Sequence, residues 1–422
     1  RALPHAGLYH PELPRPDLAG LVARWRRGRP RALLVFYRAL VQSGDLAPID
    51  ALLAALAERG LDAVGLFVTS LKDGEAAALT EAVVSELAPA VILNATAFAV
   101  GAEGPTDPLA AIDAPVLQLV LASSDEASWR AGSRGLLPRD LAMAVALPEI
   151  DGRVLARAVS FKASRARDPR TEADLAWHRP VPDRIAFVAD LAAAWARLRA
   201  SPTSERRVAL ILANYPNRDG RLANGVGLDT PASCVAVLQA LAAAGYGVGP
   251  IPADGDALIR ALAAGPTNDL AALPMREVRV ALPLARYRML LARLPKPVQA
   301  AILERWGPPE ADPHLIDGAF ALPILPLGRV VVAIQPARGY HIDPAATYHA
   351  PDLAPPHAYL ASYLWLRHEH GTHAVVHLGK HGNLEWLPGK ATALSADCLP
   401  EAVLGPLPHL YPFIVNDPGE GT

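Results

Sequence analysis

Cysteine is nearly absent, with Cys234 and Cys398 the two in 422 residues. Two are too few for a disulfide framework or a cysteine-rich zinc site, which points to a reducing, cytoplasmic setting. Lysine is almost as scarce: Lys72, Lys162, Lys296, Lys380 and Lys390 are the five, so the basic side is nearly all arginine. Lys and Arg together number 40 against 42 Asp and Glu, a net charge of -2. Without an excess of positive charge there is no phosphate-neutralising surface, and nucleic acid is not an expected partner. Long hydrophobic runs are missing too. The most apolar stretch, 88–102, is broken by Pro89, Asn94 and Thr96 and is too short to span a bilayer, so no membrane partner is expected. The opening residues, Arg1 to His5, lack the positive-then-apolar pattern of an export signal. There is no initiator Met and the last residues, Asn416 to Thr422, run out with no closing element, so the chain reads as a piece of something longer.

What is present is a recurring alternation of strands and helices. Ala32–Tyr37 (ALLVFY), Ala63–Thr69, Ala90–Ala95 and Pro115–Ala122 are continuous apolar runs, the pattern of strands buried on both faces. Pro48–Arg59 and Glu75–Leu87 between them carry helical spacing. Arg207–Ala213 (RVALILA) restarts the design, with a helix at 230–244 and a strand at Tyr246–Ile251. Arg329–Gln335 (RVVVAIQ) starts it again, with a helix over His357–His370 and a strand over His373–Leu378. The fold class expected is α/β: several Rossmann- or flavodoxin-like parallel-sheet units with helical or Pro-rich insertions. The expected boundaries are a lead-in at 1–27, a first α/β domain at 28–160 and a linker or helical segment at 161–205. A second α/β unit follows at 206–265, a helical or Pro-rich insertion at 266–328, and a third α/β unit at 329–422, truncated at its end.

Histidine departs most from background. Eight of the thirteen fall between His341 and His381. Imidazole titrates near neutrality and is the commonest metal ligand, so such crowding suggests a metal, proton-transfer or anion site. His368 and His370 sit beside Arg367 at a helix end, where cations favour the carbonyl dipole, and His373 starts a strand; these read as structural. His377 is different, because it lies at the carboxyl end of a strand, where open α/β sheets bind ligands. His377, His381 and Glu385 follow at intervals of four, among glycines that let backbone approach a ligand. If Asn383 caps a single helical turn, Glu385 lies within it. This His/His/Glu set is the candidate for holding a divalent cation transiently or accepting protons. No Walker A loop is present: Lys390 is followed by Ala391, and Leu384 stands where its first glycine would be. Two polar loops follow the other strands, Asn214 to Asp229 and Gln335 to Asp343, and three such loops at three strand ends would wall one cleft.

The stretch His377-Leu-Gly-Lys-His-Gly-Asn-Leu-Glu-Trp-Leu-Pro-Gly-Lys390, continuing through Gly405 to Gly421, resembles the CobN / magnesium chelatase H-subunit family. Residues 213–232 and Ile334-Gln-Pro-Ala-Arg-Gly-Tyr340 agree, as do Gly7-Leu-Tyr-His-Pro11 and Phe36-Tyr-Arg38. Magnesium members more often have Thr–His–Gly–Thr where this chain has Lys380-His381-Gly382-Asn383, so the likeness is to the cobaltochelatase large subunits (CobN type). Family members are much longer, which would make this chain roughly an N-terminal to middle third. The resemblance implies a subunit that binds a corrinoid tetrapyrrole and Co2+ as a transient substrate metal. An AAA+ ATPase subunit pair would use ATP and Mg2+, which this chain would not bind. The implied reaction is ATP-dependent insertion of Co2+ into hydrogenobyrinic acid a,c-diamide, in cobalamin biosynthesis. On that reading His377, His381 and Glu385 deliver metal or accept protons, with Glu385 first choice as base. Arg218, Arg221, Arg338 and Lys380 would pair with carboxylates on the corrinoid rim, and Asn214, Asn224 and Asn383 would meet amides. Trp386 and Tyr340 would stack on the macrocycle or belong to the core. Open alternatives are a large subunit of the magnesium chelatase H type acting on protoporphyrin IX, a module that only binds tetrapyrrole, and a His/Glu metal-dependent hydrolase.

Overall fold

Apolar runs of five to seven residues become the central strands of two separate sheets in a computed structural model. It describes residues 3–101, 107–164, 167, 170, 172, 175–214, 222–223, 228–340, 350–379 and 382–412. The chain divides into two units: Arg1–Ala200 with Lys390–Ser395, and Ser201–Gly389 with Ala396–Thr422.

The first unit holds a seven-stranded sheet of β1 (Ala6–Tyr9), β2 (Arg31–Tyr37), β3 (Asp62–Val68), β4 (Val91–Asn94), β5 (Val116–Leu121), β6 (Val154–Ser164) and β7 (Ala176–Pro180). The order is β1-β3-β2-β4-β5-β6-β7; β2 to β6 are parallel, and the two outer strands run antiparallel to their neighbours. Alternation along β2 explains how both faces are covered. Leu34 and Phe36 pack with Leu52 and Leu56 of the helix Ala47–Glu58 and with Ile185 and Val188 of the helix Pro182–Ala200. Leu33 and Val35 face the other way, onto Val83, Val84 and Leu87 of the helix Gly74–Leu87. That helix starts at Asp73, whose carboxylate accepts from the Ala76 N–H at 3.0 Å.

The second unit is built the same way around β8 (Val208–Leu212). A small antiparallel sheet joins β9 (Ala281–Pro283), β10 (Leu315–Ile316) and β11 (Ala319–Ala321). The main sheet adds β12 (Ile324–Leu327), β13 (Val330–Ile334), β14 (Ala374–Leu378) and β15 (His409–Leu410) in the order β12-β13-β8-β14-β15. β13, β8, β14 and β15 are parallel; β12 is antiparallel to β13. Leu210 and Leu212 pack on Val235 and Leu238 of the helix Thr230–Ala243, while Ala209 and Ile211 share a cluster with Tyr359 and Leu360 of the helix His357–Trp365.

The expected segments distribute over these units as follows. Residues 1–27 supply β1, and 161–205 supply the end of β6, all of β7 and the helix Pro182–Ala200 of the first unit. Segments 206–265 and 329–422 share one sheet, because β8 lies between β13 and β14. Local periodicity finds a strand but not its neighbour when a long crossover intervenes. Tyr246–Ile251 is not a strand; it makes one antiparallel bridge, Val248 with Gly328. The helix expected over His357–His370 is α-helical to Trp365 and finishes as a π turn, Leu366–His370. No helix among the described residues is long and apolar enough to cross a membrane.

Candidate functional site

Three strands of the second sheet end level with one another. Ile334 of β13 and Leu378 of β14 both stand opposite Leu212 of β8. The ladder continues one step further, with Gln335 N donating to Leu212 O at 2.9 Å and Ala213 N to Leu378 O at 2.8 Å. The loops after Ala213, Gln335 and Leu378 therefore leave the sheet side by side. From β8 the chain goes to β13 on one flank and then to β14 on the other, which makes this end a topological switch point. Gly379 holds φ at +142°, and a Cβ there would lie 2.3 Å from the Ala213 Cβ. Only glycine lets the exit of β14 pass β8 so closely.

His377, the fourth residue of β14, points into this end of the sheet and is 3% exposed. Its Nδ1 lies 2.7 Å from His409 Nε2, and its Nε2 lies 3.1 Å from the Tyr363 hydroxyl. One imidazole thus carries the hydrogen that the other accepts. Burial, and secondarily the neighbouring His409, pushes His377 down to about 3; burial alone pushes His409 down to about 4. Both rings are neutral at physiological pH. Tyr359 and Tyr363, one helical turn apart, stack at 5.4 Å, and Gln335 Nε2 donates to their hydroxyls at 3.3 and 3.2 Å. Tyr359 donates to Asn383 Oδ1 at 2.6 Å. Burial raises both phenols, so they stay protonated.

A second hydrogen-bonded string holds the carboxylate. Glu385 lies exposed in the single 3-10 turn Leu384–Trp386, with the Tyr411 hydroxyl donating to its Oε1 at 3.0 Å. The same hydroxyl accepts the Gly382 N–H. Burial, then the Glu385 charge, raises the Tyr411 phenol. Its ring stacks on His409 and meets His377 edge-on, each at 5.7 Å, so the two strings pack through Tyr411.

The expected residues fall out differently. His377 and Glu385 meet through Tyr411, whose ring packs on the first and whose hydroxyl donates to the second, while Asn383 accepts from Tyr359. Asn383 does precede a helical turn, but its side chain makes no cap bond; Oδ1 accepts from Tyr359 and Nδ2 donates to Pro336 O at 3.4 Å. Asn214 is buried just beyond β8. Arg338 is buried, with an amino group donating to Ala350 O and to Trp386 O at 2.9 and 2.5 Å, which braces the turn bearing Glu385. Trp386 is half-buried. Tyr340 packs edge-on to Trp306 at 5.6 Å and over His314 at 5.3 Å, so it belongs to the core. His381, Lys380, Arg218, Arg221 and Asn224 lie outside the described residues. Among the described residues no three His, Cys, Asp or Glu side chains gather to hold a metal, and both ring nitrogens of His377 already have protein partners. His370 stacks on Trp365 at 5.5 Å and meets Thr372 Oγ1 at 2.8 Å, a structural role. Lys390 belongs to the first unit, where its amino group donates to Arg130 O and Gly132 O. Sequence reasoning missed His409, Tyr411, Tyr359 and Tyr363. His409 lies outside the histidine-rich span, in a two-residue strand that leaves no periodic signal.

The arrangement presents an accessible carboxylate, oriented by a phenol, beside neutral imidazoles that both donate and accept. Such groups take up and pass on protons without carrying a buried charge at rest.

Comparison with known proteins gives the family. The CobN/Magnesium Chelatase family model matches residues 1–422. The chain is 56% identical over 405 residues to the aerobic cobaltochelatase subunit CobN of a Sinorhizobium species, covering 95% of this chain and 32% of that protein. It is 29% identical over 436 residues to the magnesium-chelatase H subunit of Rhodobacter capsulatus, covering 99% and 36%. The solved catalytic subunit of cobaltochelatase from Mycobacterium tuberculosis aligns with a TM-score of 0.83 at 37% identity, over 100% of this chain and 35% of that one. The chain spans about a third of the length of these relatives. With the match running from the first residue to the last, this chain belongs to the CobN/magnesium chelatase family.

Proposed function

We propose that this chain is part of the large subunit of an ATP-dependent cobaltochelatase that inserts Co2+ into hydrogenobyrinic acid a,c-diamide in cobalamin biosynthesis, in the cytoplasm. The observation that carries the chemistry is the Glu385–Tyr411 pair packed on the neutral His377–His409 pair at level strand ends. Seating a divalent cation in the corrin displaces the proton of its inner ring N–H, so an acceptor must stand close to the ring. Glu385 is the accessible acceptor; Tyr411 holds its orientation, and the imidazoles behind supply groups that donate and accept without charge. Hydrated Co2+ suits carboxylate and imidazole donors. His381 is assigned the second donor to the incoming metal, because the ring nitrogens of His377 already have partners.

Cobalt is favoured over magnesium by the identity to the two branches, 56% against 29%. ATP and Mg2+ are assigned to an AAA+ ATPase subunit pair, in keeping with the missing Walker A motif. The test is a titration of the full-length subunit with hydrogenobyrinic acid a,c-diamide and with protoporphyrin IX, read by absorbance shift and tryptophan quenching. Saturable binding that prefers the corrinoid by tenfold or more is expected. Preference for protoporphyrin would transfer the chain to the magnesium branch.

A further inference from the structure

The first unit has a switch point of its own. β3 lies on one flank of β2 and β4 on the other, and a cavity of about 500 Å3 opens beyond their carboxyl ends. The volume is that of a small-molecule site. Its wall is largely apolar, with Leu40, Leu119 and Leu121. Arg38, Thr69 and His178 are among the polar residues that line it, with Tyr37, Gln42 and Thr96. Arg38 makes long hydrogen bonds from one amino group to Leu3 O and Pro4 O, at 3.3 and 3.4 Å, and pairs with no carboxylate among the described residues. The Thr69 hydroxyl is buried and has no hydrogen-bond partner among the described residues, a cost that a ligand oxygen would relieve. His178 is held by Asp45, which takes its Nδ1 at 2.7 Å and its backbone N–H at 3.0 and 3.1 Å.

The rim is built unusually. Phe98, in the loop after β4, holds φ at +67°, a conformation that a bulky side chain rarely adopts. Its N–H donates at 2.8 Å to Met143 O, within the π turn Ala142–Ala146 that brings Ala144 to the cavity. Backbone strain and π turns concentrate where proteins hold ligands.

We propose that this cavity is a second binding site, for a small carboxylate with a hydrocarbon body. The Arg38 guanidinium takes the carboxylate, the Thr69 hydroxyl donates to it, and the leucine wall covers the body. A phosphate is disfavoured, because β2 exits through Tyr37-Arg38-Ala39 with no glycine-rich loop to cradle it. The cavity lies in the first unit alone, and its assignment does not rest on the chelatase reading.

The probe is 4-phenylbutyrate, titrated against the whole protein by ligand-observed NMR, with the neutral 4-phenylbutanamide as control. The acid is expected to bind saturably and roughly tenfold or more tightly than the amide, the worth of a charge-assisted pair. Arg38→Gln should erase that preference, and Leu121→Trp, which fills the cavity, should abolish binding with an unchanged circular dichroism spectrum. Absence of saturable binding, equal affinity for acid and amide, or binding untouched by both substitutions overturns the proposal. Equal competition by inorganic phosphate would also overturn it, by removing the hydrocarbon body from recognition.

Discussion

Tyr411 touches Glu385 and Gly382 through its hydroxyl and both histidines through its ring. Tyr411→Phe keeps the ring packing and removes the hydroxyl alone. Because that hydroxyl bonds a carboxylate, on the proposed function cobalt insertion by the assembled enzyme should slow by roughly tenfold or more. An unchanged rate would show that Glu385 needs no orienting partner. The histidine pair makes a prediction about pH. Both rings are depressed from 6.5, to about 3 and about 4, so the unfolded chain binds protons that the folded unit refuses. Stability contributed by their neutral forms is whole above pH 6.5 and is lost as pH falls toward 4, by about 1.4 kcal/mol per pH unit for each imidazole. Urea melts at pH 7, 6 and 5 should show this slope, and His409→Gln should reduce it to about half, because burial still depresses His377. An identical slope in the variant would mean that the pair is not buried as described.

At the scale of elements, legibility followed burial. β2, β3, β4, β5, β8, β13 and β14 were readable because strands covered on both faces are continuous apolar runs. The antiparallel flank of the first sheet was not. β6 begins among exposed and half-buried residues, and β7 reads AWHRP. Tyr246–Ile251 has the composition of a strand, yet Gly249 packs so tightly on Leu327 and Gly328 that it makes a single crossing instead. In the site, His377 was legible from its place at a strand end. Tyr359 and Tyr363 were not, because the helix His357–Trp365 is buried over most of its surface and shows no polar face to contrast with a functional one. The tight exit of β14 gives the element-scale test. Gly379→Ala adds a Cβ 2.3 Å from that of Ala213 at a left-handed φ, and should destabilise the second unit by about 2 kcal/mol or more. Its melting temperature should drop by roughly 4–8 °C for a unit of this size. A neutral effect would mean that the loop relaxes freely.

Over the whole molecule, the chain leaves the first unit at Ala200 and returns to it for Lys390–Ser395. That return is fastened by named bonds: Trp129 Nε1 donates to Ala393 O at 2.9 Å, the Thr392 hydroxyl accepts from Leu136 N and donates to Arg134 O, and Arg184 donates to Leu394 O. Thr392→Val preserves the shape and deletes two of them. It should cost the first unit about 1–3 kcal/mol and speed amide exchange around 132–137; unchanged exchange would mean the segment is not an integral part of that unit. On the proposed function, proton handling at Glu385 serves metal insertion and not ring binding. The direct measurement is Glu385→Gln in the full-length subunit with its ATPase partners, with Co2+ insertion and corrinoid affinity determined on the same preparation. Insertion should fall by roughly a hundredfold or more, the range for a general base, while affinity changes by less than about threefold. Undiminished insertion, or a loss of insertion fully matched by a loss of corrinoid binding, would contradict it.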